Sequence, residues 1–107
     1  MVGAALPLAA ESPRSLTDLE LASSARLGNA DAMNEILRRH WSGVVSYLGR
    51  FVEDRDSALD VAQDTFLAFW RGDVTWKERG SIRGFLYGVA RNLAHNDGRR
   101  WRVWPST

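Results

Sequence analysis

Residues 56–71, DSALDVAQDTFLAFWR, give the clearest indication of the fold. Its apolar residues recur every three or four positions, which is the period of an α-helix that buries one face. One side of that helix collects Ala58, Val61, Ala62, Thr65, Phe66 and Phe69. The opposite side collects Asp60, Gln63, Asp64, Leu67 and Arg71. Because Gly72 follows as a common stop signal, the sequence predicts an amphipathic helix that begins near Asp56 and ends at Gly72.

Three further helices are predicted around this one. The first begins at Ser15 or Thr17, each of which has an acid three residues on, and ends at Gly28. The second, of about 20 residues, begins after Asp31, a favourable N-cap. Its apolar positions are Met33, Ile36, Leu37, Val44, Tyr47, Leu48 and Phe51. Ser81 is predicted to cap the fourth helix, whose predicted buried stripe is Ile82, Phe85, Leu86, Val89 and Leu93.

The whole chain has 107 residues, the usual size of one domain. Hydrophobic residues make up 45% and charged residues 25%, so we expect one hydrophobic core and no wholesale disorder. Residues 1–14 hold two of the three prolines without clear periodicity, which predicts a flexible N-terminal tail. The expected fold is therefore all-α, a compact bundle of four helices behind that tail.

Composition excludes several kinds of site. Cysteine is absent and His40 and His95 are the two histidines, so no metal site or cofactor is expected. No nucleophile motif or glycine-rich phosphate loop occurs, and we do not expect an enzyme. His40 falls on the apolar side of the second helix, which predicts a buried, hydrogen-bonded histidine. No apolar run reaches the roughly 20 residues of a membrane-spanning helix, and without targeting signals we expect a cytoplasmic protein.

Charge is distributed unevenly along the chain. Residues 1–70 carry six arginines and ten acids, a net charge of −4. Residues 71–107 carry eight basic residues and three acids, a net charge of +5. A basic surface is the electrostatic signature of nucleic-acid binding. Chance segregation of charge within a single domain is the alternative.

The outer side of the third helix is the first candidate site. It contains a small acidic patch with one apolar member, formed by Asp60, Gln63, Asp64 and Leu67. Carboxylates in this arrangement seat a partner's arginine or lysine through charge-assisted hydrogen bonds. A solvated helix face is the alternative, against which the exposed position of Leu67 counts slightly.

The second candidate site combines a loop tryptophan with the outer side of the fourth helix. Trp76 is followed by Lys77, and an aromatic face beside cations suits an unstacked base. Asn92 has the amide that pairs bidentately with a base edge. Arg83, Tyr87, Arg91 and His95 are predicted to line this outer side, which Gly84 and Gly88 keep clear. The alternatives are a Trp76 folded over the core and a solvated row of arginines.

Three segments resemble region 2 of the sigma-70 family of bacterial transcription factors, in its extracytoplasmic-function (ECF) group. Residues 60–66, DVAQDTF, are similar to the family's acid, two apolar residues, Gln-Glu, small residue and Phe in region 2.2. Residues 80–96, GSIRGFLYGVARNLAHN, resemble regions 2.3 and 2.4, and residues 29–58 resemble region 2.1. The resemblance covers about residues 16–102, with all three segments in the right order and spacing.

The resemblance implies a domain that binds core RNA polymerase and recognises the melted minus-ten promoter element, as one step of transcription initiation. It implies that Asp60, Gln63, Asp64 and Leu67 contact the clamp helices of the polymerase. Trp76 would capture a flipped-out base. Asn92 and Arg91 would read or position the non-template strand of promoter DNA, with Tyr87, Arg83 and Lys77 in support. An anti-sigma factor that covers the same surfaces is a further partner compatible with this interpretation.

Some features depart from the family pattern. Asp64 replaces the usual glutamate and shortens its reach by one methylene, and Gly98 replaces an apolar residue. We expect the region 2 domain at residues 15–102 and a C-terminal tail at 103–107, without the helix-turn-helix of region 4. That would make the chain an isolated domain, a truncated product or half of a split factor. The alternative function is a helical protein-interaction module, from a split or degenerate sigma fragment, that does not bind DNA.

Overall fold

Four α-helices and a short 3-10 turn account for the regular structure of the part described by the computed structural model, residues 12–74, 76 and 80–96. The turn is Pro13–Ser15, and the helices are α1 (Asp18–Arg26), α2 (Ala30–Gly49), α3 (Arg55–Arg71) and α4 (Ile82–Asn96). The all-α, four-helix prediction is confirmed for these residues. Of the predicted tail, residues 1–11 lie outside the described residues, whereas Pro13 and Arg14 belong to the turn.

Side-chain caps set where the helices begin. Thr17 and Glu20 form a reciprocal capping box on α1, in which the Thr17 N–H donates to Glu20 Oε1 at 2.8 Å. The Gly84 N–H donates to Ser81 Oγ at 3.0 Å, so the predicted start of α4 is confirmed. Gly72 ends α3 in the left-handed conformation, as predicted.

Two helices begin slightly earlier than the sequence pattern predicts. Asn29 rather than Asp31 caps α2, because its side chain accepts from the Ala32 N–H at 3.1 Å. Asp54 caps α3 in the same way, and the helix therefore begins at Arg55. Asn and Asp are almost equally good N-caps. Propensity therefore does not distinguish Asn29 from Asp31 at the start of α2, or Asp54 from Asp56 at the start of α3.

Helix α2 lies at the centre of the bundle and packs against α1, α3 and α4. The six residues predicted to face inward from α3 are all buried. On α4 the buried face is shifted, because that helix packs against both α2 and α3. Ile82 and Leu86 are buried as predicted. The prediction is wrong for Phe85, Val89 and Leu93, which are half-buried, and Ala90 and Ala94 are buried instead.

Arg39 of α2 holds the N-terminal part of the chain onto the bundle. Its guanidinium donates to Glu35 Oε2 at 2.9 Å and to Asp18 Oδ1 of α1 at 3.1 Å. It also donates to the carbonyl oxygens of Leu16, at 2.6 Å, and Arg14, at 3.0 Å. One side chain therefore joins the 3-10 turn and α1 to α2.

His40 completes this network beside Arg39. The imidazole is buried, and its Nε2 lies 3.1 Å from Oδ2 of Asp18. The predicted buried, hydrogen-bonded histidine is thus confirmed. The other ring nitrogen, Nδ1, is buried without a hydrogen-bond partner. His40 accordingly packs in the interior and links α2 to Asp18 of α1.

We expect the stability of the domain to fall with acid because of Glu35. The hydrogen bond from Arg38, assisted by that from Arg39, lowers the pKa of buried Glu35 from 4.5 to about 2, although burial acts in the opposite direction. A lowered folded-state pKa stabilises the fold above the unfolded-state value, and this contribution is lost as the pH falls from about 4.5 to 2. Urea unfolding between pH 7 and pH 2 measures the effect. A Glu35→Gln variant should be less stable at pH 7 and show a shallower acid dependence; identical pH profiles for the two proteins would refute the assignment.

Candidate functional site

The outer face of α3 presents the acidic patch that the sequence predicts. Asp60, Gln63 and Asp64 are exposed, and Leu67 is half-buried between them and the body of the bundle. Neither carboxylate forms an ion pair with another described residue. Their charge is therefore uncompensated by the described part of the domain and is available to a partner.

An apolar groove of about 370 Å³ runs between α2 and α3 beside this patch. Its walls are Ala30, Met33, Asn34, Leu37, Trp41, Gln63, Phe66, Leu67 and Trp70. The rings of Trp41 and Phe66 pack within it at a centroid distance of 5.9 Å. Sequence reasoning missed this groove, although Trp41 and Trp70, two large residues at the margins of the buried stripes, were a signal for it.

A second groove, of about 250 Å³, lies on the other side of Leu67, towards α4. Its polar lining residues are Asp64, Arg71 and Asp73, and its apolar floor includes Leu67 and Leu93. Leu67 therefore forms the ridge between two grooves. An apolar centre with a charged rim is the usual composition of a protein–protein interface, and large anchors at its centre contribute most of the binding energy.

The outer face of α4 holds most of the residues of the second candidate site. Arg83 and Asn92 are exposed, and Arg91 is half-buried. Gly84 and Gly88 lie between them along the helix and leave its backbone accessible. Lys77, the remaining basic residue of this predicted site, lies outside the described residues.

Tyr87 does not project freely from this face, as the sequence pattern suggested. Its ring stacks on Tyr47 of α2 at a centroid distance of 4.4 Å and an interplanar angle of 18°. A Cβ atom at Gly43 would lie 2.9 Å from the Tyr87 hydroxyl, so the small residue on α2 makes room for it. Tyr87 thus contributes to the packing of α4 against α2, and it lies one helical turn from both Arg83 and Arg91.

Trp76 is half-buried and packs against the core. Its indole N–H is buried and has no hydrogen-bond acceptor. The sequence left two positions open for this residue, over the core or exposed to a base, and the structure has the first. Stacking on a base would need a larger part of the ring to be exposed than in this conformation.

Gly88→Ala is expected to stabilise the domain and to weaken the binding of any ligand that lies on α4. A Cβ at Gly88 would meet no atom within 4 Å, so packing does not require glycine there. Alanine in a helix interior is roughly 0.5–1 kcal/mol more favourable than glycine. Thermal unfolding tests the gain, and binding of a single-stranded oligonucleotide tests the loss. A variant that is stabilised yet binds unchanged would show that nothing approaches α4 closely at this position.

The structure is that of a small helical domain with two distinct faces. The outer face of α3 is acidic and lies beside two grooves, and the outer face of α4 is basic and carries two glycines. The family model for sigma-70 region 2 matches residues 36–103, which is more than half of the chain. The chain therefore belongs to the sigma-70 region 2 family, and its relatives place it in the ECF group.

Two curated relatives are similar to it. RNA polymerase sigma factor YlaC of Bacillus subtilis is 31% identical over 70 residues, which cover 65% of this chain and 40% of that protein. The ECF RNA polymerase sigma-E factor of Haemophilus influenzae is 30% identical over 81 residues, covering 76% of this chain and 42% of that protein. The chain thus matches about two fifths of the length of these relatives. No solved structure matches it significantly.

Proposed function

We propose that this domain acts in bacterial transcription initiation by binding core RNA polymerase and recognising the melted minus-ten element of a promoter. The observation that carries the proposal is the family match over residues 36–103, which includes α3 and α4, the helices of both candidate surfaces. The functional unit would be residues 15–102. Among the helices that the structure describes, none combines the length and the apolar composition of a membrane span.

The α3 face suits the polymerase. Asp60 and Asp64 would accept hydrogen bonds from basic side chains of the clamp helices, Gln63 would add polar contacts, and Leu67 would provide an apolar anchor. Charged contacts of this kind mainly set specificity and association rate. The apolar groove beside Leu67 would supply the buried area that holds the complex together.

The α4 face suits single-stranded DNA. Arg83 and Arg91 would contact phosphates of the non-template strand, and the exposed amide of Asn92 would pair with a base edge. Trp76, with Lys77 beside it in sequence, would turn its ring outward from the core and stack on a base that has left the duplex. Unstacking a base costs a few kcal/mol, and stacking on one aromatic ring returns about 1–3 kcal/mol. Because these two amounts nearly cancel, polymerase and phosphate contacts would drive opening, and Trp76 would select which sequence opens.

A selection from randomised single strands tests the DNA function without knowledge of the promoter. The purified chain is mixed with a labelled, randomised single-stranded pool, and the bound fraction is sequenced. We expect enrichment of a short motif, loss of preference at one position in Asn92→Ala, and weaker binding by Trp76→Ala. Losing one bidentate base contact costs about 1–3 kcal/mol of discrimination.

Asn34→Ala is the matched control, because Asn34 is an exposed asparagine on the α2–α3 groove, away from α4. It should leave the enriched motif unchanged. An unenriched pool, or Asn92→Ala and Trp76→Ala proteins that bind like the wild type, would contradict the promoter-reading function. Retained binding to core polymerase with no DNA preference would favour the protein-interaction module, a function for which the apolar groove alone suffices.

A further inference from the structure

A small cleft between α2 and α4 has a lining unlike that of the other grooves. Its volume is about 130 Å³, and it is lined by Gly43, Ser46, Tyr47, Arg50 and Tyr87. Each of the four residues with a polar side chain can donate a hydrogen bond, and none of the lining residues is a carboxylate. Such a lining favours an anion.

The shape of the cleft is fixed by stacked rings. Phe51 packs edge-on against Tyr47 at 5.0 Å, and Tyr47 stacks on Tyr87 at 4.4 Å. The Tyr87 hydroxyl lies above the backbone of Gly43, where a Cβ would come within 2.9 Å of it. A rigid ring wall that holds a hydroxyl in place is a preorganised donor.

Arg50 supplies the positive charge of the cleft. It is exposed and forms no ion pair with a described residue. It also caps the C-terminal end of α2, where the helix carries partial negative charge. Without the guanidinium this end of α2 would repel an anion, so binding there depends on Arg50.

We propose that this cleft binds a backbone phosphate of single-stranded DNA, with Arg50, Ser46 and the tyrosine hydroxyls as donors. This proposal deepens the DNA-binding function and rests on it. Tyr87 lies in the same helical row as Arg83 and Arg91, so the cleft extends the basic track of α4 onto α2. A phosphate group suits its small volume better than a base with its sugar.

The salt dependence of binding tests the proposal. Fluorescence anisotropy with a labelled single strand is measured over a range of salt concentrations, once with a randomised sequence and once with abasic spacers in place of the bases. Each phosphate contact contributes about 0.7 to the slope of log affinity against log salt for single strands. Arg50→Ala should lower the magnitude of this slope by about that amount. It should also reduce the affinity for both single strands by a similar factor, since the contact does not involve a base.

Neutral variants separate a built cleft from a general charge effect. Ser46→Ala removes one donor without changing charge, and we expect severalfold weaker binding, whereas Ser23→Ala on α1 should bind as the wild type does. Arg26→Ala removes an exposed arginine of α1 and should leave the slope nearly unchanged. Circular dichroism checks that each variant keeps its helices.

The outcomes distinguish this proposal from the function beneath it. If the wild type binds single strands and Arg50→Ala has the same slope and affinity, the cleft is not a phosphate site although the DNA function stands. If Arg50→Ala weakens binding but Ser46→Ala does not, Arg50 contacts the strand without the other donors of the cleft, and the cleft proposal is likewise overturned. If the wild type binds neither strand, the DNA-binding function itself fails.

Discussion

Replacing Arg39 by methionine is expected to destabilise the domain by about 2–3 kcal/mol, because hydrogen bonds to charged groups contribute about 1.5–3 kcal/mol. Arg39 makes such bonds to both Glu35 and Asp18, although Glu35 would still keep Arg38. The substitution would also leave the carbonyl oxygens of Leu16 and Arg14 without their donor. Urea unfolding of the purified variant measures the loss. We further expect faster proteolysis ahead of α1, since Arg39 ties the 3-10 turn to α2.

Arg38→Met is the matched control for this prediction. Arg38 precedes Arg39 and binds the same carboxylate, at 2.6 Å, but its side chain is 56% exposed, compared with 21% for Arg39. An ion pair of so exposed an arginine contributes little to stability, so Arg38→Met should destabilise the domain much less than Arg39→Met does. Equal losses in the two variants would refute the special position of Arg39 as the link between α1, the turn and α2.

The features of the fold that could be predicted are those that depend on the helical spacing of apolar residues or on local capping residues. The spacing of apolar residues on α3 predicts which face of the helix points inward. Val61 and Phe69 lie on that face, and both residues are buried as expected. The caps at Thr17 and Ser81 follow from residue chemistry one turn away. On α4 the period was less informative, because the buried face includes the small residues Ala90 and Ala94, whereas the prediction followed the larger apolar side chains.

The unpredictable part depends on distances between helices. Arg39 and Asp18 are 21 residues apart, and nothing in their sequence context indicates that they meet. Tyr87 looked like an outward residue, yet the absence of a side chain at Gly43 allows it to lie against α2 and stack on Tyr47. The apolar groove is likewise a product of how α2 and α3 diverge beside Trp41 and Trp70. The acidic patch was predictable because all four of its residues share one helix face.

Reversing the charge of Asp60 and Asp64 is expected to weaken binding to core RNA polymerase by at least about a hundredfold. Truncating one partner of a buried, hydrogen-bonded charge pair at an interface typically costs 2–5 kcal/mol, and 1.4 kcal/mol is a factor of ten. Lysine adds repulsion against the basic residues that we propose on the polymerase side. Both positions are exposed and form no ion pair with described residues, so the fold should tolerate the change.

A matched pair of variants separates position from net charge. Asp60→Asn with Asp64→Asn raises the net charge as much as Ser23→Lys with Ser42→Lys does. Ser23 and Ser42 are exposed residues of α1 and α2. The amide pair should weaken polymerase binding, and the lysine pair should not.

Titration of the labelled full chain with purified bacterial core RNA polymerase is the most direct test of the proposed role. We expect saturable binding by the wild type and by the Ser23→Lys/Ser42→Lys variant, loss of binding in Asp60→Lys/Asp64→Lys, and equal helix content in all three proteins. A folded wild type that does not bind, or charge-reversed α3 that binds unchanged, would contradict this role.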